Sequence, residues 1–239
     1  MAKDFDALSR RAAQIIIRAL KERPSLLLCA SAGGTPTGAY QLLATRRTRH
    51  PELFRQMRVL QIDEWGGLPA GCAASCEADL KEKLLKPLGI DAGRYSVFKT
   101  DASDPQAECL RMQRWLGAHG PIDICILGLG INGHVAMNEP AADLVPQAHV
   151  AKLSKSSLAH AMLKGLKQKP RYGLTIGMGD ILRSQRILLL VSGAKKREAM
   201  KRLLRPRVST RFPASFLWLR GNTTVLCDRQ AMGTEESYV

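Results

Sequence analysis

Three side chains in this sequence have the chemistry and the placement needed to move protons. His134 and Glu139 lie five residues apart in a glycine-broken loop, 128–139, after an apolar run at 122–127. Histidine titrates near neutral pH, and a nearby carboxylate can fix its tautomer or raise its basicity. Asp63 ends another predicted strand, where a carboxylate can act as a base on a C–H next to a carbonyl or imine. Taken alone, each pattern is also compatible with a solvated turn.

A second pattern, residues 31–38, favours phosphate binding. An apolar run at 26–30 precedes it and a helix predicted over 39–47 follows it. Its glycines allow backbone N–H groups close to a ligand, Thr35 adds a hydroxyl, and a helix N-terminus adds partial positive charge. The segment is neither a Walker A loop nor a dinucleotide fingerprint, because the required spacings are absent. A tight turn with Thr35 capping the helix is the alternative.

Three basic side chains are further candidates for the site. Lys196 follows Gly193 in the first turn of a predicted helix and could supply a positive charge to a phosphate. An ordinary surface lysine is the alternative. His160 and Lys164 lie four residues apart, on one face of a helix predicted over 156–165. That spacing, with no second metal ligand, is more typical of structural or solvated side chains.

The order of apolar and amphipathic segments predicts an α/β fold with three layers, αβα. Apolar runs alternate with helical patterns, which is typical of a mostly parallel, Rossmann-like sheet covered on both faces. The loops after the strands then converge on one edge of the sheet, where ligands bind. We expect one domain over 1–239, because no linker is visible. The predicted strands are 26–30, 59–62, 122–127, 150–153, 186–191 and 224–226; the predicted helices are 4–22, 39–47, 74–87, 105–119, 156–165 and 195–204; a frayed tail is predicted at 233–239.

The strong positive charge has two possible explanations. The 239 residues carry a formal net charge of +15, and only 5% are aromatic. The basic residues are spread out, including Arg10-Arg11 and Arg46-Arg47, and no nucleic-acid-binding motif accompanies them. Few aromatic side chains also leave little surface for base stacking. We therefore favour a solvated surface that attracts an anionic small molecule, and expect no nucleic-acid partner.

Composition also bears on location. No apolar run approaches the roughly 20 residues that span a bilayer, and the first residues lack the pattern of a signal peptide. We therefore expect no membrane partner. The six cysteines form no spacing that completes a zinc site, and Cys29 and Cys125 lie within apolar runs. A reduced, cytoplasmic protein is expected.

Five segments together resemble the hexosamine-6-phosphate deaminase/isomerase family. They occur in the family's order and at its spacing, and the most specific is GLGINGHVAMNEP. Within the family, the chain looks closest to galactosamine-6-phosphate deaminases at 63–65 and 213–219. The resemblance extends from about residue 8 to 231 and implies the α/β fold of sugar-phosphate isomerases and deaminases. The five segments are 26–40, 61–69, 128–140, 174–190 and 213–219.

The resemblance implies a reaction that needs no metal or organic cofactor. An amino-sugar 6-phosphate is opened, isomerised by proton transfer and deaminated, giving a ketohexose 6-phosphate and ammonia. Asp63 would shuttle the proton between C2 and C1, His134 would assist ring opening, and Glu139 would hold and tune His134. The implied phosphate-binding residues are Gly33, Gly34, Thr35 and Lys196.

The chain departs from the family pattern in three ways. Asn132 stands where many members carry Asp, and an amide can orient His134 or the substrate but cannot take a proton. A family arginine that contacts the phosphate has no clear match, and Lys164 and His160 are the candidates to replace it. The C-terminal extension of allosteric members is absent, so we expect no such allostery, and a monomer or small homo-oligomer.

Two other functions are compatible with parts of this sequence. A sugar-lactone hydrolase of the 6-phosphogluconolactonase type shares the fold and the Gly-x-Gly-x-x-Gly-His loop. The ending 138–140, Asn-Glu-Pro, favours the deaminase, because the lactonase pattern diverges just after the histidine. A non-catalytic sugar-phosphate sensor would need an attached DNA-binding segment, for which 239 residues leave no room.

Overall fold

A computed structural model describes residues 1–234 and shows two β-sheets within them. The strands are β1 (Leu27–Ala30), β2 (Arg58–Gln61), β3 (Asp63–Gly66), β4 (Tyr95–Ser96), β5 (Ile124–Gly128), β6 (His149–Ala151), β7 (Tyr172–Thr175), β8 (Arg186–Val191) and β9 (Thr223–Cys227). A parallel sheet has the order β4-β2-β1-β5-β8-β9. A smaller antiparallel sheet has the order β3-β7-β6. The predicted α/β class with a mostly parallel sheet is confirmed.

Helices cover both faces of the parallel sheet. They are α1 (Phe5–Glu22), α2 (Gly34–Arg49), α3 (Cys76–Leu80), α4 (Lys86–Leu88), α5 (Pro105–His119), α6 (Lys155–Leu158), α7 (Met178–Leu182), α8 (Arg197–Leu203) and α9 (Arg229–Met232). A π-helical turn, Lys81–Leu85, joins α3 to α4, and 3-10 turns include Ala161–Leu163, Ala194–Lys196 and Pro213–Leu219. Within residues 1–234, the helices are all too short or too polar to cross a lipid bilayer.

Alternate residues of the central strands face opposite helical layers. In β8, Ile187 and Leu189 pack in the cluster that contains the apolar residues of α5 and α8. Leu188 and Leu190 pack in the cluster that contains those of α1 and α2. Because both faces of these strands are buried, they consist of continuous apolar runs. The predicted three-layer αβα arrangement is confirmed.

The chain leaves the parallel sheet just before Asp63, which differs from the prediction that Asp63 ends a strand. The N–H of Ile62 still donates to the carbonyl of Ala30, 3.1 Å away. Asp63 then begins β3, which pairs antiparallel with β7, and its Cα register partner is Thr175. The prediction missed β7 and the second sheet, because such pairing depends on residues that are far apart in sequence.

Two helix predictions need correction. The helix predicted over 39–47 begins at Gly34, so the glycine turn is itself the first turn of α2. Pro36 does not prevent this, because N–H groups in a first turn need no helical partner. The helix predicted over 156–165 is wrong beyond Leu158, where α6 ends and a 3-10 turn follows. The tail predicted to fray lies outside the described residues from 235 onward.

Candidate active site

The candidate site lies where the parallel sheet changes direction. From β1 the chain passes through α2 to β2 on one side, and it later returns to β5 on the other side. The loops after β1 and β5 therefore diverge and leave a crevice between them, the usual ligand position in an open α/β sheet. The glycine turn that starts α2 and the loop that carries His134 both border this crevice, as predicted from sequence.

Glu139 is the centre of a polar cluster that surrounds His134. Its Oε2 lies 3.3 Å from Nδ1 of His134 and accepts a 2.8 Å hydrogen bond from the Asn132 amide. Its Oε1 accepts hydrogen bonds from the hydroxyls of Ser154, at 2.9 Å, and Ser157. The Asn132 carbonyl oxygen in turn accepts from the backbone N–H of His134, at 3.2 Å. The loop thus holds a carboxylate, an amide and an imidazole in one connected network.

The charge of Glu139 is stabilised by these neighbours. Burial by itself would raise the pKa of Glu139, but the contact with His134 and the hydrogen bonds from Ser157 and Asn132 outweigh it and lower that pKa to about 2. The contact between Glu139 and His134 lacks good hydrogen-bond alignment, since Nδ1 has no aligned partner. Such contacts often tighten when substrate binds. An ionised Glu139 therefore places a negative charge beside the His134 ring.

Two glycines make room for the His134 ring and its loop. A Cβ atom on Gly130 would lie 2.5 Å from the imidazole, and one on Gly133 would lie 2.0 Å from the ring of Phe212. Gly133 also has a φ of 93°, which favours glycine. Its carbonyl accepts from the N–H of Ala214, which ties the loop to the 3-10 turn at 213–219. The glycine spacing in this motif therefore has a steric cause.

Asp63 is half-buried and lies next to Glu64, which differs from it in burial and in hydrogen bonding. Within the described residues Asp63 has no hydrogen-bond donor to its side chain. The fully buried Glu64 accepts four hydrogen bonds of 2.7–2.9 Å, from the side chain of Gln61 and the N–H groups of Trp65, Cys76 and Glu77. Glu64 therefore holds the end of β2, the start of β3 and the N-terminus of α3 together.

The environment of Asp63 suits a proton carrier at neutral pH. Burial raises the pKa of Asp63 to about 7, and the negative charge of Glu64 adds to that shift. Thr175 connects Asp63 to the His134 loop, because it pairs with Asp63 in the sheet while its hydroxyl accepts from the N–H of Met137, 3.3 Å away. The small antiparallel sheet thus carries Asp63 and anchors the His134 loop.

The glycine turn presents Gly34 and Thr35 at the exposed N-terminus of α2. Space above Gly34 is open, and the Thr35 hydroxyl makes no hydrogen bond within the described residues. Gly33 has a φ of 99°, and its N–H donates to Asp79, 2.9 Å away. Gly33 therefore shapes the turn at the start of α2. No side chain caps α2, so its first N–H groups are open to an anion.

Lys196 and His160 add basic groups on either side of that turn. Nζ of Lys196 donates to the carbonyl of Leu129, 2.6 Å away, and burial lowers the pKa of Lys196. The imidazole edge of His160 lies within 4.0 Å of the Cβ position of Gly33, and its ring centre is 5.8 Å from that of Trp65. Lys164 follows the 3-10 turn and, unlike His160, has no atom within 4 Å of the Gly33 Cβ position.

Sequence reasoning missed several members of this site. Ser154 and Ser157, which hold Glu139, gave no signal apart from their place in a short polar segment, where Ser154 caps α6 and Ser157 lies within it. Thr175 lies in the strand that was not predicted. Asn138 was noted only as part of a motif, yet its buried amide donates to the carbonyls of Val135 and Ile176, 3.2 and 3.0 Å away. These contacts depend on long-range packing.

Comparison with known proteins identifies the family. A family model described as "Glucosamine-6-phosphate isomerases/6-phosphogluconolactonase" matches residues 3–226. Glucosamine-6-phosphate deaminase 1 of Bacillus subtilis (strain 168) is 34% identical over 229 residues, which are 95% of each chain. The chain therefore belongs to the glucosamine-6-phosphate isomerase/6-phosphogluconolactonase family, and the resemblance found in the sequence is confirmed.

Solved structures agree with that assignment. A structure described as a monomeric glucosamine-6-phosphate deaminase is similar with a TM-score of 0.93, 33% identity and 98% of each chain covered. The 6-phosphogluconolactonase of Trypanosoma brucei has a TM-score of 0.72 at 22% identity, over 98% of this chain and 96% of that one. The second likeness shows the shared fold alone.

We predict that Glu64→Gln destabilises the protein. Each Glu64 oxygen accepts two hydrogen bonds, so the new NH₂ group would leave two buried donors without an acceptor. An unsatisfied buried group costs about 1–3 kcal/mol. Urea unfolding measures the loss of unfolding free energy, with the exposed Glu82→Gln as the matched control. An unfolding free energy equal to that of the control would contradict the structural role of Glu64.

Proposed function

We propose that this protein is a deaminating isomerase that converts an amino-sugar 6-phosphate and water into a ketohexose 6-phosphate and ammonia. The observation that carries the proposal is the environment of Asp63, a carboxylate that receives no hydrogen bond from residues 1–234 and whose pKa burial raises to about 7. It shares its edge of the fold with a histidine beside a carboxylate and with an uncapped helix N-terminus. Its relatives named as glucosamine-6-phosphate deaminases support the same reaction.

Ring opening is assigned to His134. It accepts the proton of the anomeric hydroxyl and returns a proton to the ring oxygen as the bond between C1 and that oxygen breaks. Glu139 stabilises the imidazolium formed between these two transfers, because its low pKa keeps it ionised. Asn132 orients both partners through its amide and carbonyl groups. An amide suffices for this role, since Asn132 need not exchange a proton.

Isomerisation is assigned to Asp63. Its carboxylate removes the proton from C2 of the open aldose while O1 takes a proton from the substrate ammonium group, which gives an enaminol. Asp63 then returns its proton to C1, which leaves an iminium group at C2. Water then adds to C2 and the C–N bond breaks, so ammonia leaves and the C2 ketone forms. The overall change is a hydrolysis of a C–N bond that uses one water. Asp63 is suited to both transfers, because a base is most effective when its pKa lies near the working pH.

Phosphate binding is assigned to the uncapped end of α2 and its basic neighbours. The N–H groups after Gly33, the hydroxyl of Thr35 and the ammonium of Lys196 supply donors and positive charge. His160 takes the place of the missing arginine. Its Nδ1 accepts from the N–H of Met162, 3.3 Å away, so the neutral imidazole carries its proton on Nε2. Nε2 and Cε1 are the ring atoms that lie nearest Gly33. That Nε2–H is a donor for the phosphate.

The remaining properties follow from this assignment and from composition. We propose that the chain works as one sugar-phosphate domain over 1–239, as a monomer or small homo-oligomer in the cytoplasm. The chemistry assigned to Asp63, His134 and Glu139 requires no metal or organic cofactor. Galactosamine 6-phosphate remains our predicted substrate. This prediction rests on the resemblance at 63–65 and 213–219 and not on a contact in the crevice.

We predict that the purified protein releases ammonia from galactosamine 6-phosphate or glucosamine 6-phosphate, measured side by side. Asp63→Asn should reduce the rate at least a thousandfold, because an amide cannot accept the C2 proton, yet it should still bind the sugar phosphate. Ammonia from one sugar identifies the epimer. Retained turnover in Asp63→Asn would contradict the assigned base, and no ammonia from either sugar would favour the lactonase.

We predict that kcat/KM rises with pH and levels off above an inflection near pH 7. Asp63 must be ionised to act, and its pKa is about 7, so its active fraction falls about tenfold per pH unit below that value. The ¹³C chemical shift of the Asp63 carboxyl in the substrate-free protein separates this ionisation from that of the substrate phosphate. A carboxyl that titrates near pH 4 would contradict the proposed environment.

We predict that His160→Ala raises KM and weakens inorganic phosphate binding about tenfold, with a smaller change in kcat. Both side chains are exposed, but only that of His160 lies within 4.0 Å of the Cβ position of Gly33. Lys164→Ala is therefore the control and should leave both constants within twofold of wild type. Competition by inorganic phosphate measures the affinity. The opposite result, with only Lys164→Ala affected, would assign the phosphate contact to the lysine.

A further inference from the structure

Two basic pairs that stand apart in the sequence meet on the outer face of the molecule. Arg10 of α1 and Arg46 of α2 line one groove between these packed helices. Arg49 lies in the same hollow, while Arg18 and Lys21 line the hollow that adjoins it. The proposed reaction uses none of these five cations. Their placement therefore calls for a separate explanation.

The groove combines a positive rim with an apolar floor. Its two hollows measure about 270 and 450 Å³ and share Gln14, Ile17 and Arg46. Ala13, Ile17 and Leu42 form the floor, and Gln14 adds a neutral amide. Hollows of this size fall near the range that holds small organic ligands, roughly 300–1,000 Å³. A flat ring could lie on the floor while anionic groups reach the rim.

The cations of the groove lack counter-charges. Within residues 1–234, none of the five has a carboxylate oxygen within 4.0 Å, although ten other basic side chains in that range do. The Nε atom of Arg46 is buried and has no hydrogen-bond partner among the described residues. A buried donor without a partner often marks the place of a bound ion or water. Repulsion between like charges would also be relieved by an anion.

We propose that this groove is a second binding site, which takes an organic diphosphate such as a nucleoside diphosphate. The guanidinium groups of Arg10, Arg46 and Arg49 bind the two phosphates, since arginine presents paired donors that match phosphate oxygens. The ring of the ligand packs on Ile17 and Leu42. The groove lies about 18 Å along α2 from Gly34, at 1.5 Å per residue, so this site is distinct from the phosphate turn.

Isothermal titration with ADP tests the proposal, with inorganic pyrophosphate as a probe for the phosphates alone. ADP should bind wild type, and pyrophosphate should bind more weakly because it cannot use the apolar floor. Arg10→Gln/Arg46→Gln should weaken ADP binding at least tenfold. The control Arg114→Gln/Arg220→Gln removes two exposed charges elsewhere and should stay within twofold of wild type. Gln14→Glu, which adds a carboxylate to the groove, should also weaken binding.

Two further readouts separate this site from the active site. Lys196→Ala should bind ADP as wild type does, because Lys196 belongs to the phosphate turn. Ammonia release by Arg10→Gln/Arg46→Gln should match wild type, which also shows that this variant is folded. Absence of ADP binding, equal losses in both double variants, or a loss in Lys196→Ala would each overturn the proposal. Tighter binding of a DNA duplex with the same dependence on Arg10 and Arg46 would replace it with a nucleic-acid surface.

Discussion

The buried carboxylate of Glu64 is the interaction on which the candidate site depends most. Its four hydrogen bonds join the last residue of β2, the start of β3 and the N-terminus of α3. The chain changes sheets at this point, so the direction of Asp63 is fixed by the way Glu64 is held. Burial raises the pKa of Glu64 despite these donors, and its proximity helps to raise that of Asp63. Glu64 therefore helps to fix the position of Asp63 and adds to the rise in pKa that burial causes.

The site separates the roles of its carboxylates by environment. Asp63 is half-buried, receives no donor among the described residues and has a pKa raised to about 7, whereas Glu139 receives donors from several sides and has a pKa lowered to about 2. The first can exchange a proton at neutral pH, and the second stays charged beside His134. Opposite shifts in one site are a general means of assigning acid–base roles. Here burial and the charge of Glu64 raise the pKa of Asp63, whereas the contact with His134 and the hydrogen bonds from Ser157 and Asn132 lower that of Glu139.

Much of this arrangement could be predicted from sequence, and the failures have common causes. Continuous apolar runs identified the central parallel strands, and glycine-rich loops identified the crevice edge, because these signals are local. The antiparallel sheet was not predicted, because β3 and β7 pair although they lie far apart in the sequence. The start of α2 was misplaced, because Pro36 and two glycines resemble a loop as much as a first helical turn. His160 and Lys164 could not be ranked until the turn after α6 placed only His160 near Gly33.

Gly130 and Gly133, which enclose Ile131 and Asn132, limit how the loop can vary between related sequences. His134 and Phe212 leave no room for a side chain at Gly130 and Gly133. A substitution at either position must therefore move an aromatic ring. Ile131 between them is 56% exposed and meets no such barrier. We therefore expect substitutions in this loop to occur at Ile131. They can change the surface of the loop while the His134 ring stays in place.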